Sequence, residues 1–176
     1  MATDPQLLER IQLLEGRLAI LEAVEEIRRL KSDYAALVDD RYARGAPRAS
    51  EELADRAQRI ASLFTEDAVW DGGPALGVCQ GRAELAKRMA QPTLLFSWHY
   101  FVKPRIEVEG DQARGRWDLL APCTTADGRP HWMAGVEDDE YRRVDGVWLH
   151  SAMKLRVVFM APHETGWARL PRAASS

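Results

Sequence analysis

The chain has 176 residues, 29% of them charged, and a formal net charge of -3. That length suggests one domain, and the charge balance excludes the broad basic face that nucleic acids or anionic membranes require. At 46% hydrophobic residues the chain can bury a sizeable core, yet no apolar run approaches the roughly 20 residues of a membrane helix. The acidic, polar start MATDPQLLERIQ does not read as a secretory signal. Cys79 and Cys123 stand far apart without a CxxC spacing, so they read as buried thiols of a cytoplasmic protein. Six tryptophans point to a large apolar cavity, an oligomer interface or a densely packed core.

The first forty residues are helical in pattern. Leu7, Ile11, Leu14, Leu18 and Leu21 alternate spacings of four and three, a heptad seam between charged positions such as Glu9, Arg10, Glu15 and Arg17. The seam serves either as an oligomerisation arm or as a face packed on its own domain. Val24, Ile27, Leu30, Tyr34, Leu37 and Val38 continue an apolar helical face, on which Tyr34 and Val38 lie four apart. Asp39 falls at the helix end. After the loop RYARGAPRAS, Ser50 reads as the N-cap of a helix running to about Phe64, with Glu51 and Glu52 in its first turn.

A short strand, AVWD, a Gly/Pro-rich connection, GGPALG, and a short helix, GRAELAKRMA, come next. From residue 96 the character is β. Segments 96–109, 112–125, 131–143 and 147–160 are predicted strands, with Gly110-Asp111, Asp127-Gly128 and Asp145-Gly146 as turn signals between them. The expected organisation is a helical arm over 1–22, a main domain over 23–168 and a loosely ordered tail over 169–176. Helices followed by a run of strands predict an α+β fold, with helices on one face of a curved, mostly antiparallel sheet.

Motifs for phosphate, dinucleotide, serine-hydrolase or zinc chemistry are absent from the sequence. His99, His131, His150 and His163 lie on different predicted elements without metal-ligand spacing, so no metal is expected. The acidic run Glu137-Asp138-Asp139-Glu140 alternates faces in a strand, so at most two members point inward, and it reads as a solvated hairpin arm. What remains is Tyr34, Asp39 and His99. Taken singly, these are a core aromatic, a helix-end charge and a core histidine. Taken together, they suit proton abstraction beside a carbonyl: histidine moves the proton, a carboxylate fixes its tautomer, and a tyrosine hydroxyl donates to a substrate oxygen.

Several segments carry a resemblance. IRRLKSDYAALVDD places an aspartate five residues after a tyrosine. LFTEDAVWDGG is an acidic turn followed by an aromatic strand, and GRAELAKRM a short helix. WHYFVKPRIEVEGDQARGRW carries a histidine, a proline, an aliphatic strand, Gly-Asp and a tryptophan. DDEYRRVDGVW and FMAPHETGW close the series. In this order they resemble the SnoaL-like branch of the nuclear-transport-factor-2-like superfamily, most closely the bile acid 7α-dehydratases and more distantly scytalone dehydratase. The likeness spans about residues 18 to 167.

That resemblance implies a cone-shaped α+β barrel around a deep apolar pocket. It implies a cofactor-free site in which His99, Asp39 and Tyr34 face the pocket. It also implies a last-strand arginine, here Arg156, with Lys154 as the alternative. Trp98, Phe101, Trp117 and Trp132 are candidates for the apolar wall, and His163 for the pocket mouth. The expected activity is a lyase that eliminates water from a hydroxylated steroid-like or aromatic substrate. Retro-aldol deformylation of an aryl propanediol or double-bond isomerisation would use the same groups. A non-catalytic ligand-binding module and the small subunit of a ring-hydroxylating oxygenase share the implied fold. The seam and the resemblance together favour a homo-oligomer, with a trimer preferred to a dimer.

Overall fold

The computed structural model describes residues 4–164. The expected tail at 169–176, the boundary at 168 and the Gly166-Trp167 end of the last motif lie outside the described residues.

Helix α1 runs unbroken over Pro5–Asp39. Asp4 caps it, accepting a hydrogen bond from the Gln6 amide at 3.0 Å, and Pro5 occupies the first turn, where a missing N–H costs nothing. Its first part, residues 4–22, is exposed throughout, and burial begins at Ala23. Residues 41–48 form a small hairpin, β1 (Tyr42–Ala43) with β2 (Ala46–Pro47). Helix α2 spans Ser50–Ser62. Its cap residue is Ala49 and no side chain caps it, so Ser50 is the first helical residue and not the expected N-cap. Strand β3 (Phe64–Asp71), the single-turn helix α3 (Gly73–Leu76), strand β4 (Val78–Gln80) and helix α4 (Arg82–Met89) follow.

The remaining strands are β5 (Phe96–Ser97), β6 (Tyr100–Glu109), β7 (Gln112–Thr124), β8 (Pro130–Val144) and β9 (Val147–Pro162). One seven-stranded sheet takes the order β4-β3-β9-β8-β7-β5, with β6 also pairing β7. Only the β3–β9 pair is parallel. The expected α+β architecture is therefore present: helices pack on one face of a strongly curled, mostly antiparallel sheet.

Two hairpins follow the turn chemistry of their residues. Asp145 (φ 50°) and Gly146 (φ 82°) both take positive φ between Val144 and Val147, as a two-residue type I′ turn demands. Gly110 (φ 59°) takes it alone in the Gly110-Asp111 loop, the type II′ pattern.

The predicted strand 96–109 is interrupted at Trp98 and His99. The His99 backbone N–H points at the Asp39 carboxylate, 3.1 Å from each oxygen, so it is lost to the sheet ladder.

Inward residues alternate along the long strands. On β7, Ala113, Trp117, Leu119, Ala121 and Cys123 are buried. On β8, Met133, Glu137, Asp139 and Tyr141 are buried. Both cysteines are buried and free, as expected. Gly115 lies where β7 crosses Tyr141: an added Cβ would sit 2.9 Å from Tyr141 Cε2 and 3.1 Å from Trp117 Nε1. Gly115→Ala is therefore expected to destabilise by about 1–3 kcal/mol, read by urea unfolding.

Candidate active site

Asp39 is the last residue of α1, and His99 lies in the break between β5 and β6. Sixty residues apart in sequence, they meet: His99 Nδ1 is 2.6 Å from Asp39 Oδ1. Together with the backbone bonds, the carboxylate holds the histidine by ring and main chain at once. An ionised carboxylate accepts only, so Nδ1 carries the proton and Nε2 is left as the basic nitrogen. Asp39 is buried and the His99 side chain is nearly so.

Tyr34 lies five residues, or about one and a half helical turns, before Asp39. Its ring is buried edge-on to Phe64, centroids 5.8 Å apart. Its hydroxyl oxygen accepts from Trp70 Nε1 at 3.3 Å, which leaves its own O–H free to donate. Burial, and next the Glu137 charge, push this hydroxyl far above the usual tyrosine range. Tyr34 is thus a hydrogen-bond donor and not a source of phenolate.

Tyr34 and His99 line the same cavity of about 330 Å³, a volume at the low end for ligand pockets. Val38, Trp70, Leu76, Met89, Leu119, Met133 and Leu155 are among its apolar wall residues. Pro92, Thr93, Leu94, Thr125, Ala126 and Met160 belong to loops and a strand end that also border it. Two larger hollows, about 710 and 660 Å³, are lined by charged side chains such as Asp67, Glu107, Arg114 and Glu140 or Arg105, Arg116, Asp138 and Lys154. Neither contains His99, Asp39 or Tyr34.

The other expected site residues divide. Arg156 is exposed and absent from the cavity wall, because its neighbours Leu155 and Val157 take the cavity side of β9. Lys154 is also exposed, 3.8 Å from Asp71. Trp98 is 47% exposed, since alternation turns Ser97 and His99 inward and the residue between them outward. Phe101 stacks on the His99 ring, centroids 6.1 Å apart and 11° between planes, so it backs the histidine and does not face the cavity. Trp117 is buried beneath the sheet and donates to the Tyr141 hydroxyl at 3.0 Å. Trp132 donates to His163 Nδ1 at 3.1 Å, and neither lines the cavity.

Three charged residues of the cavity wall, Arg41, Arg88 and Glu137, escaped the sequence reading. Arg41 follows the helix end and is buried; it donates through Nε to the Val38 carbonyl at 3.0 Å and through Nη1 to the Met89 carbonyl at 3.3 Å. It is a cation held at the wall by the backbone. Glu137 is the carboxylate among the three. Lys31 Nζ lies 2.5 Å from Glu137 Oε2 and 2.8 Å from Asp139 Oδ2, with all three side chains buried. The acidic run is thus not a solvated arm: Asp138 and Glu140 face out, while Glu137 and Asp139 face a buried ammonium. A lysine on the Ile27–Leu30–Tyr34 helical face was the signal that could have revealed it.

Burial, opposed by Lys31 and aided by Glu137, raises the Asp139 carboxyl to about 6. Among the described residues no cluster of metal-ligating side chains occurs, and no helix is long and apolar enough to cross a membrane.

His150 sits below Tyr34, fully buried, stacked on Phe64 at 4.8 Å. Burial, then the Lys31 charge, push its imidazole well below its ordinary value. The unfolded chain therefore takes up this proton first as pH falls. The His150 contribution to stability is full above about pH 6.5 and declines below it, by up to roughly 1.4 kcal/mol per pH unit. His150→Phe is expected to remove that slope in urea unfolding between pH 5 and 7.5.

The fold is a curled α+β cone, and His99, held by Asp39, lines its largely apolar cavity. The chain belongs to the SnoaL-like domain family, which it matches over residues 19–154. It is 31% identical over 108 residues to the gamma-hexachlorocyclohexane dehydrochlorinase of Sphingobium indicum, covering 59% of this chain and 69% of that protein. It is similar to the solved structure of the hexachlorocyclohexane dehydrochlorinase LinA-type3 of Novosphingobium barchaimii. There the TM-score is 0.67 and the identity 25%, over 89% of this chain and 99% of that one. A scytalone dehydratase-like protein of Novosphingobium aromaticivorans shares the fold, with a TM-score of 0.65 and 22% identity over 81% and 89% of the two chains.

Proposed function

We propose that the protein is a lyase that eliminates water from a hydroxylated aromatic or steroid-like substrate. The observation that carries this is the 2.6 Å His99–Asp39 contact at the edge of a cavity walled mostly by apolar side chains. His99 Nε2 takes the proton from the carbon beside a carbonyl or conjugated system. The C–H electrons form the new double bond as the C–O bond breaks. The departing hydroxide takes the proton back from the imidazolium and leaves as water. Tyr34 donates a hydrogen bond to the oxygen that gains charge, and Arg41 places a cation at the same wall. The cavity volume favours compact substrates within this class; a steroid would extend through the mouth.

The dehydrochlorinase relatives favour a second reading, loss of hydrogen chloride. The same base serves it, but chloride needs no proton on leaving. Incubation with 3-hydroxy-1-tetralone, a hydroxysteroid bearing an oxo group, an aryl propanediol and γ-hexachlorocyclohexane, followed by mass spectrometry, distinguishes loss of water, formaldehyde or hydrogen chloride. Loss of water is expected, with turnover in the Tyr34→Phe variant lowered by about 10²-fold. Wild-type turnover in that variant would remove Tyr34 from the reaction.

A further inference from the structure

The acid–base reading gives no task to Glu137. Yet this carboxylate lines the cavity while being only 5% exposed. One of its oxygens, Oε2, is taken by Lys31 at 2.5 Å; Oε1 has no protein partner among the described residues. Its strand neighbours are Trp117 on one side and Leu155 on the other. A buried acceptor held by a buried ammonium, amid an apolar wall, is costly to leave unpaired when a ligand expels water.

We infer that Glu137 is a hydrogen-bond-accepting subsite that selects substrates carrying a second hydroxyl or phenol besides the leaving group. This rests on the lyase reading for the word substrate, though not for the site. The Lys31 ammonium aims the carboxylate and keeps it from swinging toward Asp139, so Oε1 is fixed before the ligand arrives. A ligand O–H then makes a charge-assisted bond in a dry pocket. A ligand without a donor strands the carboxylate, which is how polar pockets reject isosteres.

Isothermal titration of 2-naphthol and naphthalene tests this without turnover, since neither can undergo the elimination. Wild-type protein is expected to prefer 2-naphthol by about 10-fold or more. In Glu137→Gln, Lys31 keeps Asp139, and the amide turns N–H groups toward the cavity. The preference should fall to within about threefold with naphthalene binding unchanged. Should Glu137→Gln lose naphthalene binding, Glu137→Leu carries the same comparison. A preference equal in wild type and variant, or none in wild type, overturns the subsite. Elimination activity would survive that result, and a naphthol preference without turnover would overturn only the lyase.

A separate observation concerns the α1 arm. Leu7, Ile11, Leu14, Leu18 and Leu21 are 41–66% exposed and touch no part of the body that buries them. With Leu7, Leu14 and Leu21 at d and Ile11 and Leu18 at a, Arg10 and Arg17 fall at g, and Glu15 and Glu22 at e. In a parallel, in-register pair each g residue faces the e residue five positions on in its partner. Arg10 then meets Glu15 of the second copy, and Arg17 meets Glu22. An antiparallel pair would set arginine against arginine. The geometry points to a second copy of this chain as the occupant, joined by parallel arms.

Light scattering of the full chain should show an oligomer whose mass falls in the Leu14→Glu/Leu18→Glu variant. Leu14→Cys should cross-link to itself on oxidation, since d positions of parallel arms face each other and the native thiols are buried. A monomeric wild type, an unchanged mass in the double variant, or no cross-link would each overturn it.

Discussion

Replacing His99 with alanine is expected to lower the elimination rate by roughly 10³-fold, within the 10²- to 10⁴-fold range typical of a general base. Ligand affinity should stay nearly unchanged, because the apolar wall remains. Asp39→Asn is expected to fall in the same range for a different reason. An amide beside Nδ1 can offer N–H where the carboxylate accepts, which favours the wrong tautomer and moves the free lone pair away from Nε2. Asp39 also holds the His99 main chain, so Asp39→Ala should add a loss of positioning and a poorer KM. Single-turnover rates with a responsive substrate, beside calorimetric affinities, separate these effects. Wild-type rates in both His99→Ala and Asp39→Asn would remove the dyad from the chemistry.

Lys31→Met is expected to destabilise the protein by about 3–5 kcal/mol, the cost of leaving a buried charge uncompensated. Two carboxylates face the Lys31 ammonium, at 2.5 and 2.8 Å, and its Nζ also lies 4.2 Å from the Phe101 ring centroid. Removing the cation strands Glu137 and Asp139 together. The loss should be smaller at pH 5 than at pH 7.5, because Asp139, already raised to about 6, can take a proton at the lower pH. The double variant Lys31→Met/Glu137→Gln should regain part of the loss. Urea unfolding of the three proteins at both pH values measures each step. A Lys31→Met protein as stable as wild type would show that the cluster contributes nothing to folding.

Sequence patterns carried the fold further than the site. The predicted strands 112–125 and 131–143, set off by the Asp-Gly and Gly-Asp turn signals, fall within a residue of the observed Gln112–Thr124 and Pro130–Val144. The break at Trp98 and His99 was not legible, because the residues on either side suit a strand. What breaks it is a carboxylate sixty positions earlier that captures the His99 amide.

Residue types and family spacing singled out Tyr34, Asp39 and His99; the fold brings His99 onto Asp39 and sets His99 and Tyr34 on one cavity. Arg156 was misplaced because one residue of register decides which face of β9 a side chain takes. Arg41 and Glu137 were missed because their roles depend on partners distant in sequence: the Met89 carbonyl for one and Lys31 for the other.

The central claim is that His99 removes a carbon-bound proton in the cavity. Incubation of wild type and His99→Ala with 3-hydroxy-1-tetralone, followed by mass spectrometry, tests it most directly. The account predicts conversion to 1-naphthol, with loss of one water, by wild type and a roughly 10³-fold slower conversion by the variant. Binding of the tetralone without any conversion, or equal conversion by both proteins, would contradict it.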